Sequence, residues 1–425
     1  GTQTVYGVPV ITEWSVAAIR AELLQGERLF YLLTNSRALS QPEMEDLIST
    51  IGHNIKVATA ELGLRCLTII RGDSTLRGHF PLEDITLATA LGGVRGAHVI
   101  IPAFFEGGRF TLRNVHYVRE GNRLIPVGQT PFAQDRSFGF GASDLRAWVE
   151  EKTNGTAKRA EVVCLSLETL RNGSTTTLPA SMSSLYSGAC CCVNAADYAD
   201  LKRAALVVLA LPDPPVLRTS ASFIKALLGL PDRPLLQLRT HQQGRGGLLV
   251  VGSHVPKTTA QLRHLLAHNE LVAVELRVPE LLSGPQDTLA ARSEELVVAL
   301  KERVEAGLNT GANVVLYTSR EVVGGKDRAQ SLRLSLRVSG ILEGVVAGLT
   351  EPPAFLLTKG GITSSRIATV SLGVKRAMAL GQVQPGVPTW ELGLESKFPG
   401  LPFVIFPGNV GTEESLSLIL QNTII

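Results

Sequence analysis

Short runs that are apolar at nearly every position, each followed by a helix-patterned segment, recur along almost the whole chain. A strand without polar alternation is buried on both faces, and such strands belong in parallel sheets covered by helices. In the first half Val5–Ile11, Leu29–Leu33, Cys66–Ile70, His98–Pro102, Val162–Leu165, Cys190–Val193 and Ala205–Leu211 read as strands. Glu13–Leu24, Gln41–Leu62, Ser143–Lys152 and Tyr198–Ala204 read as helices. This order predicts βαβ units. Val115–Val127 breaks the rhythm, because HYV and LIPV flank a polar turn at Arg119–Asn122, which predicts an inserted β-hairpin.

A chain of 425 residues is too long for one core of usual size, so two domains are expected. The polar, glycine-rich stretch Leu238–Gly247 marks the boundary, giving domains at 1–245 and 246–425. Beyond it Leu248–Val251, Leu271–Val278, Asn313–Thr318, Ala354–Leu357, Arg376–Val383 and Phe403–Phe406 read as strands. Pro256–His268, Asp287–Ala306, Ala329–Gly348 and Arg366–Gly373 read as helices, and Gln384–Trp390 as a proline-rich turn. The predicted fold class is α/β: two domains, each a mostly parallel sheet flanked by helices, with a β-hairpin insertion in the first.

A net charge of +3 and the lack of a Lys/Arg block interleaved with aromatics give no reason to expect nucleic acid. No apolar run has the length of a membrane span. The five cysteines lack zinc-site spacing and read as small core residues in a reducing cytoplasm. The chain opens at Gly1 with no charged segment and apolar stretch behind it, so no signal peptide is expected, and the start reads as the interior of a longer sequence.

In open parallel sheets, ligands bind at the carboxyl ends of strands. The second half carries three small-residue turns at such ends: Gly252-Ser253, Gly360-Gly361-Ile362-Thr363 and Gly408-Asn409-Val410-Gly411. Together they predict one cleft, poor in charge and rich in backbone N–H, suited to the ribose and phosphates of a nucleotide. Gly360 and Gly408 would admit close approach, and Ser253 and Thr363 would supply hydroxyls. Ordinary strand-to-helix turns carry the same glycines, and neither GxxxxGK[ST] nor GxGxxG is present. In the first half, Arg71, Asp73, Ser74, Arg77, His79 and Arg109 follow two strands. A guanidinium fork fits a carboxylate, and Asp73 can accept from a hydroxyl or act as a base, which together describe a site for a small polyhydroxylated acid. The alternative is a surface ion pair of Asp73 with Arg77 at helical spacing. His264 and His268 have metal-ligand spacing without an HExxH, His241 and His254 read as surface residues, and Ser253 is not in a GxSxG elbow.

Taken together, these motifs resemble the four-carbon acid sugar kinase family over nearly the whole chain. The first half is similar to its sugar-binding domain through GTQTV, TNSRAL at Thr34–Leu39, RGDSTLRG at Arg71–Gly78 and PAFFEGGRFT at Pro102–Thr111. The second is similar to its nucleotide-binding domain through VVGSHVPKTTAQL at Val250–Leu262, TKGGITSS at Thr358–Ser365, LGQVQPGVPTW at Leu380–Trp390 and FPGNVG at Phe406–Gly411. The resemblance implies ATP-dependent phosphorylation of the terminal hydroxyl of an acid such as threonate, erythronate or an oxo form. It implies that Ser253, Gly360, Gly361, Ile362, Thr363 and Gly408 contact ATP. It implies that Asp73, Ser74, Arg77 and Arg109 hold the acid, with Asp73 as the available base and Mg²⁺ bound with the nucleotide. Domain closure would exclude water. The implied partners are a small sugar acid and ATP, with no nucleic acid or membrane and with a homodimer left open. Two departures stand out. Relatives carry an acidic DD-x-T-G motif before GTQTV, where this chain begins, and many carry an acid where this chain has Ile362. These departures favour, as an alternative, a sugar-acid- and nucleotide-binding protein without turnover. A dinucleotide-dependent dehydrogenase is a further alternative that the absence of GxGxxG argues against.

Overall fold

In the computed structural model the apolar runs pair through their main-chain groups and bury both faces; Val99, Ile101, Leu248–Val251 and Val314–Leu316 are nearly or wholly inaccessible. The structure describes residues 2–93, 97–173, 189–211, 214–239, 244–253, 255–282, 288–320, 328–408 and 410–424. His241, His254 and Asn409, singled out above, lie outside the described residues. The chain divides into two compact units, Gly1–Val5 with Glu13–Arg233 and Tyr6–Thr12 with Pro234–Ile425.

The first unit holds an all-parallel sheet in the order Ile69–Arg71, Val216–Thr219, His98–Ile101, Cys190–Val193, Val163–Leu165. Val216–Thr219 escaped the sequence pattern because it carries a charge. Its Arg218 is buried against Glu83 at 3.1 Å and Asp84 at 2.5 Å. Ala205–Leu211, expected as a strand, belongs instead to the helix Tyr198–Leu209. An apolar run this short fits either period. Here a reciprocal cap between Asp197 and Asp200 starts the helix, and Leu206 and Leu209 face solvent while Leu201, Ala204 and Ala205 are buried. The expected hairpin forms from Val115–Glu120 and Arg123–Pro126, with Arg109–Leu112 added as a third antiparallel strand.

In the second unit the strands run in the order Val272–Leu276, Val314–Thr318, Leu248–Val251, Leu356–Lys359, Pro402–Phe406, Val387–Leu392, Arg376–Gln384, Val8–Ile11. The first five are mutually parallel and the last three antiparallel. Val8–Ile11 therefore joins the second unit, by pairing with Arg376–Ala379. Gln384–Trp390 is not a turn throughout. The chain turns at Pro385-Gly386 and continues as Val387–Leu392, with Pro388 tolerated where the ladder register shifts. Phe355, Leu357, Val404 and Phe406 centre the core of this unit. Among the described residues no helix is long and apolar enough to cross a membrane.

Gly246 leads into Leu248–Val251 against neighbouring main chain. A Cβ there would lie 1.7 Å from the carbonyl oxygen of Ala312, an atom that cannot rotate away. Gly246→Ala is expected to cost about 1–3 kcal/mol of stability, read by denaturant unfolding. An unchanged midpoint would show that the two segments separate without penalty.

Candidate functional site

In the first unit the charge collects just past the carboxyl ends of the strands. Ile69–Arg71 runs into Gly72 and Asp73, and the chain then turns, with Leu76 at φ 66°. The segment is a turn and not a helix, so Asp73 and Arg77 do not form the exposed helical pair of the alternative reading. They meet at 2.7 Å with side chains only 13% and 17% exposed. The same Oδ2 accepts from the Thr75 hydroxyl at 2.6 Å and lies 3.1 Å from Arg37. Burial alone pushes the Asp73 carboxyl up, but Arg77, Arg37 and the hydroxyl outweigh it and hold it down at about 2. Asp73 is therefore a permanent anion and a strong hydrogen-bond acceptor.

Arg109 opens its strand as a buried residue, and its Nε has no partner. Burial lowers its pKa and the nearby Asp73 opposes that shift. The Arg109 and Arg77 guanidinium groups lie over one ring, Phe132, at 5.9 and 5.2 Å. Ser74 is buried, and its carbonyl is within 2.8 Å of His116 Nε2. Burial pushes the His116 imidazole down to about 4, so it is neutral at pH 7. A carbonyl only accepts, so Nε2 carries the proton and Nδ1 accepts from Thr111 at 2.9 Å. This chain of bonds holds the 73–75 turn on the inserted strands.

The structure thus brings Asp73, Ser74, Arg77 and Arg109 together. His79 is engaged otherwise, with Nε2 3.2 Å from the Leu39 carbonyl and its ring edge-on to Phe138. Sequence reasoning missed Arg37, His116 and Phe132. Arg37 sits in TNSRAL, so a signal existed. Phe132 left none, because its role arises only from where the chain brings it.

In the second unit the parallel register aligns Val251 with Tyr317 and Lys359, and Lys359 with Phe406. The turns that follow therefore stand side by side. From Leu248–Val251 the chain moves toward one edge, and from Leu356–Lys359 toward the other. The crevice between these two ends is the topological switch point, where open α/β sheets bind ligands. A Cβ on Gly252 would lie 2.9 Å from Thr363 Oγ1; one on Gly360, 3.3 Å from Ser253 Cβ; one on Gly408, 3.8 Å from Ser253 Oγ. Gly252, Ser253, Gly360, Thr363 and Gly408 are thus one cluster.

Two expectations for this cluster need correction. The helix begins at Gly361, not at Arg366, because Gly360 at φ 119° turns the chain directly into it. It runs to Arg366 and continues as a wider turn over Ile367–Ser371. Ser364, inside this helix, bonds Thr358 at 2.8 Å and the Gly360 carbonyl at 2.7 Å. Nor is the surrounding region poor in charge. Arg320 donates to the carbonyls of Ser253 and Thr318, both at 2.7 Å, and so ties two strand ends together. Lys359, wholly buried, donates to the Pro407 carbonyl at 2.7 Å and lies 3.8 Å from the centre of the Phe406 ring. Lys359 lay in plain view in TKGG, but its burial could not be read there. His264 and His268 stack at 4.1 Å, and His264 Nδ1 is 3.0 Å from the Ser417 hydroxyl.

Residues 1–227 match the sugar-binding N-terminal domain, and residues 248–416 match the nucleotide-binding C-terminal domain. The chain belongs to the four-carbon acid sugar kinase family. In this family member the guanidinium cluster lies within the sugar-binding match and the glycine turns lie within the nucleotide-binding match. Among the solved structures that share the fold are these two. One is a Salmonella typhimurium LT2 protein whose provisional name is tRNA synthase, at 16% identity and a TM-score of 0.68, with 97% of each chain covered. The other is a Haemophilus influenzae protein of a family of unknown function, at 15% identity and a TM-score of 0.60, covering 97% of this chain and 98% of that one. At these identities the likeness shows the fold alone. No curated protein matches the chain.

Burial, with Lys257 adding to it, pushes the Lys359 ammonium down to about 7 from its ordinary 10.5. Between those values the unfolded chain keeps a proton that the folded one has released. Stability therefore rises with pH across that window, by at most about 1.4 kcal/mol per unit, and the burial penalty is fully present below it. Lys359→Met is expected to raise stability at neutral pH and to flatten this slope in unfolding curves taken from pH 6 to 10. A slope equal to that of the unsubstituted protein would show that the ammonium is solvated.

Proposed function

We propose that this protein is an ATP-dependent kinase that phosphorylates the terminal hydroxyl of a four-carbon sugar acid of the threonate, erythronate or 3-oxo-tetronate type. The observation that carries the reading is the meeting of Gly252-Ser253, Gly360-Thr363 and Gly408 at the switch point of a nucleotide-binding domain. The Gly360 N–H is bonded to the Phe406 carbonyl at 2.9 Å, so the backbone N–H groups of Gly361, Ile362 and Thr363 would hold phosphate, and the Ser253 and Thr363 hydroxyls would add hydrogen bonds. Ile362, 56% exposed, would flank the phosphates without charge. The described residues hold no group of three or more His, Cys, Asp or Glu placed to bind a metal. Mg²⁺ would arrive with the phosphates and offset their charge, and the Ser253 and Thr363 hydroxyls are the groups of this cluster that could help to hold it.

In the sugar-binding domain Arg77 and Arg109 would take the acid's carboxylate, and Asp73 and Ser74 its hydroxyls. Phosphoryl transfer needs positioning and charge stabilisation more than a strong base. A low-pKa Asp73 suits that demand, because it orients the attacking hydroxyl and accepts its proton late. A second reading, a binding protein without turnover, is favoured by Ile362 at the place where relatives often carry a carboxylate. A coupled ADP-release assay over threonate, erythronate and the oxo acids separates the two. Release with at least one acid is expected; tight ATP binding with no release for any acid would establish the second reading.

Two substitutions test the sites. A Cβ on Gly361 meets nothing within 4 Å, so Gly361→Asp adds a carboxylate without steric strain. It is expected to weaken ATP binding about tenfold or more by charge repulsion, as read by calorimetry; equal affinity would remove the phosphates from this loop. Arg77→Ala is expected to raise the acid's KM by about 10–100-fold, the worth of a charge-assisted hydrogen bond, with ATP affinity unchanged. An unchanged KM would leave Arg77 as an ion-pair partner of Asp73 and Asp135 only.

A further inference from the structure

Beside Asp73 the first unit contains a small recess that the assignments above leave unused. Asp73, Trp148, Arg218, Thr219 and Ser220 are among the residues that line it. It sits where Ile69–Arg71, Val216–Thr219 and His98–Ile101 end side by side, with Gly72 N–H bonded to the Thr219 carbonyl and Ser220 N–H to the Ile101 carbonyl.

Three polar side-chain atoms of its lining residues are buried without a hydrogen-bond partner: Thr219 Oγ1, Ser220 Oγ and Trp148 Nε1. Their residues are 2%, 1% and 1% exposed. Leaving one such group unpaired costs about 1–3 kcal/mol, and three among the lining residues of a single recess is an unusual concentration. Ser220 makes the point sharply. It is the N-cap of the helix Ala221–Leu228, a position where serine normally bonds the first turn, yet its hydroxyl makes no capping bond.

The chemistry selects the occupant. Trp148 Nε1 only donates, so the group that satisfies it must carry lone pairs; the two hydroxyls can donate or accept. Charge then separates a hydroxyl from a carboxylate. The recess has one guanidinium, Arg218, already bonded to both Glu83 and Asp84, and Asp73 adds a further negative charge. An anion gains nothing there. Uncommitted positive charge lies instead with Arg109, whose Nε is unpartnered. Leu76, Ile100 and Pro102 supply apolar wall for the carbon that bears the hydroxyl.

We propose that this recess recognises an internal hydroxyl of the acid's carbon chain, with Thr219, Ser220 and Trp148 as the groups that read it. The proposal rests on the sugar-acid kinase reading and adds to it the residues that set substrate choice. The carboxylate goes to Arg77 and Arg109, the terminal hydroxyl is left for phosphorylation, and an internal hydroxyl enters the recess. A site built to bond a hydroxyl rejects an analogue lacking it, because its own groups then stay unpaired.

The test compares threonate and erythronate with 2,4-dihydroxybutyrate and 3,4-dihydroxybutyrate, each of which lacks one internal hydroxyl. The unsubstituted protein is expected to prefer the better trihydroxy acid over one of these analogues by about a hundredfold or more in kcat/KM. Thr219→Val combined with Ser220→Ala is expected to reduce that preference below about tenfold, with the KM for ATP unchanged. Neither hydroxyl has a partner to lose, so the unfolding midpoint of the double variant is expected to stay level or rise. A lower midpoint, or a preference equal to that of the unsubstituted protein, overturns the proposal. If no acid is phosphorylated, the kinase reading fails, and the same ratio is taken from acid affinities by calorimetry. Failure of every acid to bind then overturns the recess as well.

Discussion

Parallel pairing is the constraint on which both candidate sites depend. Parallel strands cannot be joined by tight turns, so each connection must cross the sheet, and every strand ends at the same edge. In the second unit this places the turns after Val251, Lys359 and Phe406 in one row, and the reversal of connection direction opens a crevice between the first two. In the first unit it places Gly72-Asp73, Pro102 and Ser220 in another row. Residues nearly 150 positions apart in the chain become neighbours through main-chain register alone, before any side chain is considered.

Charge is then arranged on these rows in two ways. Arg218 is buried with Glu83 and Asp84, an arrangement that neutralises it and leaves the recess beside it fit for neutral oxygen. Arg77 and Arg109 share the face of Phe132, and Arg109 keeps an unpartnered nitrogen. Asp73 lies between, held ionised by its neighbours. Removing guanidinium groups from water without full pairing is unfavourable for the isolated protein. Such an arrangement is what a site for a carboxylate needs, since the ligand completes the bonds. Lys359 in the second unit is a similar case, a buried ammonium set against a carbonyl and an aromatic face.

Much of the fold was legible because most strands here are uniformly apolar and most helices are amphipathic. Cys190–Val193 and Pro256–His268 form over the expected residues. The failures share a cause. Ala205–Leu211 was apolar enough for a strand, and only the solvent exposure of Leu206 and Leu209 shows its helical period. Val216–Thr219 was hidden by Arg218, whose charge is tolerable in a strand only because Glu83 and Asp84 reach it from a distant helix. Gln384–Trp390 looked like a turn because proline and glycine are counted locally, whereas pairing on both sides makes most of it a strand.

The sequence by itself determined the α/β class, the inserted hairpin, the glycine turns and the arginine-rich segment around Asp73, because each is written in local spacing. Tertiary structure alone decided which of those segments meet. It joined Ser253 to Gly360 and Gly408, set Arg77 and Arg109 on Phe132, and left Thr219, Ser220 and Trp148 with buried, unanswered hydrogen-bonding groups. Whether a polar group is satisfied depends on atoms contributed by distant parts of the chain, and no local pattern carries that information.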